Sequence, residues 1–148
     1  MYSPKKNNEL IKEFLSKREG LSLDFKQNLS NQKKIAKTLL AFANTEGGKI
    51  IVGVSDRGRL IGIDAEEEMF MVNEAITKYC NPPINVIFEV FEIDYWEDEL
   101  LKDEKYLLIV DIPKSSLAPH YLIDGTKEPV YYRRVKDRTL PSELPGST

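Results

Sequence analysis

Residues 35–62, IAKTLLAFANTEGGKIIVGVSDRGRLIG, decide the fold of this chain. Apolar residues recur at helical spacing across residues 35–42, which predicts a helix with one wide face available to cover a sheet. The helix is expected to stop at Gly47 and Gly48, because glycine takes the left-handed conformation of a helix C-cap without a steric penalty. Asn44, at the helix end, and the two glycines are therefore assigned a structural role.

The second half of the same stretch predicts a hairpin. Residues 50–54, IIVGV, are short, continuous and rich in β-branched side chains, as in a strand that is covered on both faces. Residues 56–59, DRGR, supply a tight turn, and residues 60–63 supply the returning strand. The rest of the chain is expected to pack around this helix and hairpin.

Upstream segments complete a strand–helix–strand unit. Residues 7–18 carry an apolar stripe that predicts a first helix, which Gly20 ends. Residues 21–26, LSLDFK, alternate apolar and polar side chains, as a half-buried strand does. With Ser30 as the expected N-cap of the central helix, these segments make a βαβ unit, for which a right-handed crossover is the default.

Downstream residues add one helix and several strands. An acidic first turn and an apolar inner face predict a helix over residues 65–79, and Pro82 and Pro83 follow as helix breakers. The predicted fold class is therefore α+β: a mixed β-sheet that contains the βαβ unit, with helices packed on it and hairpin extensions. The remaining segments are strands at 84–96 and 105–112, an acidic turn at 97–104, and a final hairpin of strands 120–123 and 130–134.

Composition indicates one domain. A chain of 148 residues can bury a proper core, and a content of 41% hydrophobic and 30% charged residues is typical of a globular protein rather than a disordered one. Residues 1–143 are assigned to a single domain. Residues 144–148 are expected to be a frayed tail or the boundary of a longer protein.

Several classes of protein are excluded by what the sequence lacks. No apolar run approaches the roughly 20 residues of a membrane span, and the polar N-terminus has no signal-peptide core. We therefore expect a cytoplasmic protein without a membrane partner. Cys80 and His120 are the only residues of their types, which excludes an internal disulfide and a metal site built from several cysteines or histidines. Cys80 is expected to be a small buried apolar residue, and His120 an ordinary loop residue.

Charge is distributed unevenly along the chain. The net charge is −3, but residues 1–60 carry +6, residues 61–112 carry −11 and residues 113–148 carry +2. A polyanion responds to a local basic face rather than to the total charge. On charge alone, a nucleic-acid surface and an ordinary solvated surface explain the pattern equally well.

Specific motifs resemble a known family. Residues 23–26 (LDFK), 41–48 (AFANTEGG) and 53–56 (GVSD) are similar to the Schlafen-type AlbA-like domain of bacteria and archaea. Residues 81–84 (NPPI) and 131–134 (YYRR) extend the resemblance, which covers residues 9–143. The AFANTEGG block with its flanking strand is the most specific part of this resemblance.

The resemblance implies a nucleic-acid-binding domain, with DNA as its partner, in a transcriptional regulator. Other relatives carry different labels, including divergent AAA-type ATPases, and animal Schlafen relatives have a three-carboxylate nuclease site in the corresponding domain. Two alternatives therefore stay open: a metal-dependent nuclease, and a protein-interaction module whose charge asymmetry supports a homodimer.

The basic side chains are the candidate contacts to a nucleic-acid backbone. Basic groups on a hairpin and at sheet edges suit phosphates, because each contact releases condensed counterions. Tyr131 and Tyr132 are candidates for base stacking, although tyrosines in a strand are more often core residues. The predicted nucleic-acid-binding residues are Lys26, Lys33, Lys34, Lys37, Lys49, Arg57, Arg59, Arg133, Arg134, Lys136 and Arg138.

The nuclease alternative rests on three acids. Glu19, Asp24 and Asp56 occupy the positions that match the family's nuclease carboxylates, and three oxygen ligands suit Mg²⁺ or Mn²⁺. Asp24 departs from the family pattern, where glutamate is usual. Without this activity, the three are a helix-end charge, a polar position of an edge strand and a turn residue. No cofactor is predicted unless the protein is a nuclease.

ATP hydrolysis is the least supported activity. Gly47, Gly48 and Lys49 invite comparison with a phosphate-binding loop, but the motif G-x-x-x-x-G-K-[ST] is absent, because residue 43 is alanine and Ile50 follows the lysine. A Gly-Gly turn between helix and strand, with a solvated lysine, explains these residues.

Overall fold

The computed structural model describes residues 4–96, 99–100 and 106–143. These residues form three helices: α1 (Asn8–Leu15), α2 (Gln32–Asn44) and α3 (Ala65–Tyr79). No helix within these ranges is both long and apolar enough to span a membrane. The strands in chain order are β1 (Leu23–Lys26), β2 (Gly48–Val52), β3 (Cys80–Asn81), β4 (Ile87–Glu92), β5 (Tyr95–Trp96), β6 (Glu99–Leu100), β7 (Tyr106–Ile112), β8 (Tyr121–Leu122), β9 (Val130–Val135) and β10 (Arg138–Ser142).

The main sheet has four strands in the order β1-β2-β7-β4. Strand β1 lies parallel to β2, with Asp24 opposite Ile50, and α2 connects the two strands. The other two pairings are antiparallel. The predicted βαβ unit and the α+β class with a mixed sheet are therefore confirmed. The strand that carries Asp24 also neighbours the strand that leads to Asp56, as such a unit requires.

Helices cover both faces of the main sheet. Ile50 and Val52 of β2 face a core that contains α2 and α3. Ile51, whose side chain points to the opposite face, packs with Ile11 of α1 and with residues of β4 and β7. This two-sided burial explains why β2 is a continuous apolar run rather than an alternating one.

A second antiparallel sheet, in the order β10-β9-β8-β3, encloses α2 from another side. Helix α2 packs against β9 as well as against α3. As a result, α2 is buried on nearly all sides over its second half, from Thr38 to Ala43. The hairpin predicted for strands 120–123 and 130–134 is confirmed as the pair β8–β9.

Each helix begins at a polar cap. The side chains of Asn7, Asn31 and Asp64 each accept a hydrogen bond from a backbone N–H of the first turn. The expectation of Ser30 as the cap of α2 is wrong by one residue, because the Oδ1 of Asn31 reaches the amide of Lys34 at 3.0 Å. The predicted boundaries of α3 are confirmed.

Three predicted segments differ in the structure. Residues 60–63 form no regular strand but only isolated bridges, of Leu60 to Val54 and of Ile63 to Tyr106. The strand expected at 84–96 divides into β4 and β5. Residues 138–142, for which no strand was predicted, form β10, whose backbone pairs with β9. Residues 144–148 and most of the acidic turn at 97–104 lie outside the described residues.

Candidate nucleic-acid interface

Three loops meet around a cleft of about 540 Å³, here called the turn cleft. They are the segment after α1, the turn that follows β2, and the β9–β10 turn. Polar and charged side chains from all three loops line the cleft: Lys17, Arg18, Glu19, Ser55, Asp56 and Asp137.

The turn after β2 is held by its own hydrogen bonds. The amide of Ser55 donates to the carbonyl of Arg59 at 2.8 Å, and the Oγ of Ser55 accepts from the amide of Arg59 at 3.2 Å. Gly58 has a φ of +77°, a conformation that glycine adopts without strain. This short turn leaves Arg57 and Arg59 exposed beside the cleft.

Exposed cations surround the turn cleft and form what we call the basic rim. Each of the three loops carries two rim residues, counting Arg138 at the start of β10, and none of the six forms an ion pair with another described residue. They are Lys17, Arg18, Arg57, Arg59, Lys136 and Arg138. Lys17 and Arg18 were missed in the sequence analysis; the run Lys17-Arg18-Glu19 at a helix end was the available signal.

Other predicted basic residues lie away from the rim or have acidic partners. Lys26 contacts Asp24 at 3.1 Å, and Lys49 contacts Asp111 at 3.2 Å. On α2, Lys33 pairs with Asp124, and this ion pair raises the pKa of Lys33 and lowers the pKa of Asp124. Lys37 lies over the ring of Tyr132, while Lys34 on the same helix and Arg133 on β9 are exposed.

Arg134 is a correction to the predicted interface. Only 4% of the residue is exposed, so its guanidinium is not available to a phosphate. The guanidinium donates to the carbonyl of Gly20 at 3.0 Å, to the carbonyl of Leu23 at 3.3 Å and to the Oγ1 of Thr139 at 3.1 Å. It also lies over the ring of Phe42, 4.7 Å from the centroid. Arg134 therefore joins the second sheet to β1 and α2.

Asp24 is buried rather than half-exposed at the edge of the sheet. Only 4% of the residue is exposed, and its Oδ2 lies 3.1 Å from the Nζ of Lys26 and 3.9 Å from the guanidinium of Arg134. The alternating pattern of β1 predicted the apolar residues as the buried ones. The pattern fails here because a buried carboxylate is tolerated when cations and hydrogen bonds compensate it.

Glu19 lies beside Asp24. Its Oε2 accepts a hydrogen bond from the backbone amide of Phe25 at 2.9 Å. A side chain therefore satisfies this backbone donor on the outer edge of β1. The neighbouring carboxylate of Asp24, through a shared hydrogen bond, and partial burial raise the pKa of Glu19 above its usual value. The structure thus brings Glu19 and Asp24 together, whereas Asp56 lies on the turn and is exposed to solvent.

This pairing leads to a prediction for stability. Because folding raises the pKa of Glu19, the native state holds its proton more tightly, and the wild type loses stability as the pH rises through the window above 4.5, the usual pKa of this group. Glu19→Gln removes the charge and can donate to Asp24. We expect the variant to be the more stable protein at pH 7, with an advantage that grows between about pH 4 and 6. Thermal melts across this pH range measure the difference in stability between the variant and the wild type. Glu13→Gln on α1 is the matched control. A difference between Glu19→Gln and the wild type that does not change with pH would contradict the expectation.

The three carboxylates do not fit a divalent metal. Within residues 4–96, 99–100 and 106–143, no three side chains of aspartate, glutamate, histidine or cysteine are placed to hold one. Asp24 is engaged by Lys26, and Glu19 is engaged by the amide of Phe25. Each of these contacts occupies a carboxylate oxygen that a metal ion would otherwise coordinate.

The glycine turn does not offer a phosphate cradle either. The amide of Gly47 donates to the carbonyl of Phe42 at 2.7 Å, and the amide of Lys49 donates to the carbonyl of Ser22 at 2.9 Å. A phosphate-binding loop needs backbone amides that point at the ligand. These two amides already donate hydrogen bonds within the fold.

Asn44 and His120 hold the second sheet on α2. The side-chain amide of Asn44 donates to the carbonyls of His120 and Tyr132, and its Oδ1 accepts from the amide of His120 at 2.8 Å. His120 is buried, and its ring nitrogens contact the Oγ of Ser115 and the carbonyl of Pro82. Cys80 is buried as expected, and burial raises the pKa of its thiol to about 12. The structural role assigned to Asn44 therefore has a physical basis.

Comparison with known proteins agrees with the motif resemblance. The family model described as "Schlafen, AlbA_2" matches residues 19–141. Among solved structures, the chain is similar to the DIP2311 protein from Corynebacterium diphtheriae, with 19% sequence identity and a TM-score of 0.51. That similarity covers 89% of this chain and 25% of the other, so this chain spans a quarter of that protein's length and the likeness concerns the fold alone. None of the curated proteins matches the chain.

Proposed function

This chain belongs to the Schlafen AlbA_2 family, and from that premise we propose that it binds nucleic acid, DNA in particular, through the basic rim of the turn cleft. The observation that carries the proposal is the convergence of three loops, each with two exposed cations that form no ion pair with a described residue. We further propose that this DNA binding is regulatory and that it takes place in the cytoplasm.

The rim fits a phosphate backbone better than the cleft interior does. Three acids, Glu19, Asp56 and Asp137, line the cleft and repel phosphate, against two cations, Lys17 and Arg18. The other four rim cations are sequence neighbours of lining residues and are exposed. A strand that followed the rim would exchange condensed counterions for lysine and arginine contacts. Side chains of this kind set position and affinity without reading the base sequence.

The alternatives have less support. Hydrolysis by three carboxylates is not proposed, because two of them are already engaged by groups of the chain. A homodimerisation module stays an alternative, since the charge asymmetry of the sequence would also serve self-association. The experiment below separates it from nucleic-acid binding.

The first test is the dependence of binding on salt. The logarithm of the association constant should fall linearly with the logarithm of salt concentration, with a slope of about −0.9 for each duplex phosphate contacted. Replacing Arg57 and Arg59 together with alanine should weaken binding several-fold and flatten the slope by about 2, because two phosphate contacts are lost. Fluorescence anisotropy with a labelled duplex and a labelled single strand measures both quantities.

A charge-matched control accompanies this experiment. Replacing Lys78 and Lys127 with alanine also removes two positive charges, but from exposed positions that do not line the turn cleft. This variant should keep the wild-type slope. If the wild type shows no affinity for any nucleic acid at low salt, the proposed function fails and self-association becomes the better explanation, which sedimentation would then test.

A further inference from the structure

A second cleft adjoins the basic rim and is here called the glycine-turn cleft. It has a volume of about 480 Å³ and lies between the segment after α1 and the turn at Gly47 and Gly48. Lys17 and Arg18 line both this cleft and the turn cleft. The two residues therefore form a cationic ridge between the two clefts.

Apolar side chains give the glycine-turn cleft a different character. Phe14, Leu21 and Leu23 all line it. Leu21 is 40% exposed, although leucine is usually covered, and Phe14 is half-buried with the ammonium of Lys17 5.3 Å from its ring centroid. An aromatic ring and an exposed leucine beside a cation make a surface on which a flat, apolar face can lie.

Most of the other charges at this cleft cancel one another. Lys49 contacts Asp111 at 3.2 Å, and Glu46 contacts Lys114 at 3.7 Å. Lys17 and Arg18 have no such acidic partner among the described residues. The uncompensated charge of the cleft is therefore positive and lies on the ridge that it shares with the rim.

We propose that the glycine-turn cleft receives an unpaired nucleobase, so that the domain prefers single-stranded nucleic acid to duplex. This inference rests on the proposed function, because the ridge must hold the phosphates that flank the base. Proteins that bind single strands combine a cationic path for the backbone with aromatic platforms for the bases. A base within a duplex keeps both of its faces stacked and cannot enter such a cleft. Purine and pyrimidine bases both present a flat, apolar face, so a base of either type suits the cleft.

The experiment compares a single strand with a duplex of equal length at the same low salt concentration. Two variants address the apolar surface without changing charge: Leu21→Ala, and Phe14→Leu, which removes the ring but keeps an apolar side chain for the core beneath it. Leu117→Ala, at a leucine that is 65% exposed elsewhere, is the matched control. Thermal melts identify any variant that fails to fold.

The wild type should bind the single strand at least about tenfold more tightly. Phe14→Leu should lower single-strand affinity by about fivefold or more, in line with the cost of losing one base–aromatic contact, and Leu21→Ala should lower it several-fold. Neither variant should change duplex affinity, and Leu117→Ala should change neither affinity. Equal affinity for the two probes, or an equal loss for both in Leu21→Ala and Phe14→Leu, would overturn the base-binding cleft while leaving the proposed function in place. Absence of binding to both probes would overturn both proposals.

Discussion

Replacing Gly47 with valine is expected to destabilise the domain by at least about 3 kcal/mol, and to lower its melting temperature by about 10 °C. Gly47 has a φ of +75°, which a β-branched side chain adopts only with strain. A Cβ at this position would also lie 2.6 Å from the amide nitrogen of Lys114 and 2.8 Å from the carbonyl oxygen of Ile112. Both neighbours are backbone atoms, which cannot move without disturbing β7.

Gly125→Val separates the two causes. Gly125 also has a positive φ, of +60°, but nothing lies within 4 Å of the position that a Cβ would take. This variant should lose only about 1–3 kcal/mol, the cost of the backbone conformation. Chemical denaturation measures both free energies of unfolding. Equal losses for the two variants would show that close packing at Gly47 contributes nothing.

Replacing Arg134 with alanine is expected to cost about 3–5 kcal/mol, because it removes one partner of a buried charged pair. The substitution would leave Asp24 with Lys26 as its remaining cation, and would leave the carbonyls of Gly20 and Leu23 without their donor. It would also uncover the ring of Phe42. Unfolding of the variant by denaturant, at neutral pH, measures the loss.

The adjacent Arg133 is the matched control. It lies on the same strand but is exposed, so Arg133→Ala should change stability by no more than about 0.5 kcal/mol. Asp24→Asn combined with Arg134→Met should recover part of the loss, since no buried carboxylate then remains that has lost the charge of Arg134. A variant Arg134→Ala as stable as Arg133→Ala would contradict the structural role assigned to the buried arginine.

Arg134 also links the stability of the domain to its candidate interface. The two carbonyls that it binds belong to Gly20 and Leu23, which line the glycine-turn cleft. The same segment carries Lys17 and Arg18. Loss of Arg134 would therefore disturb the cleft as well as the core, and binding data for its variants are informative only beside measurements of folding.

Local patterns in the sequence account for much of the fold. The helical spacing before Gly47 predicts α2, and the continuous β-branched run predicts β2. An acidic first helical turn followed by an apolar face predicts α3 with its boundaries. These features depend on residues that are close in sequence. The parallel pairing of β1 with β2 also follows, because a helix of this length between two strands returns the chain beside its start.

The site could be predicted only in part. Exposed arginines on the turn at residues 56–59 follow from turn chemistry, and both are exposed in the structure. Lys17 and Arg18 were missed, because their place at the cleft depends on how the segment after α1 meets the two turns. The sequence shows which residues are charged. Which charges from distant segments lie together depends on the tertiary structure.

What the sequence by itself determined is the βαβ unit with α3 after it, the α+β class and the membership of the chain in its family. Only the tertiary structure decided that Arg134 is buried and that Asp24 is its neighbour in the interior. A polar residue can be buried only if partners compensate it, and here Arg134 finds them more than 100 positions earlier in the chain. Local periodicity carries no information about such a partner, because the free energy that permits the burial arises from contacts that exist only after the second sheet has packed against β1 and α2.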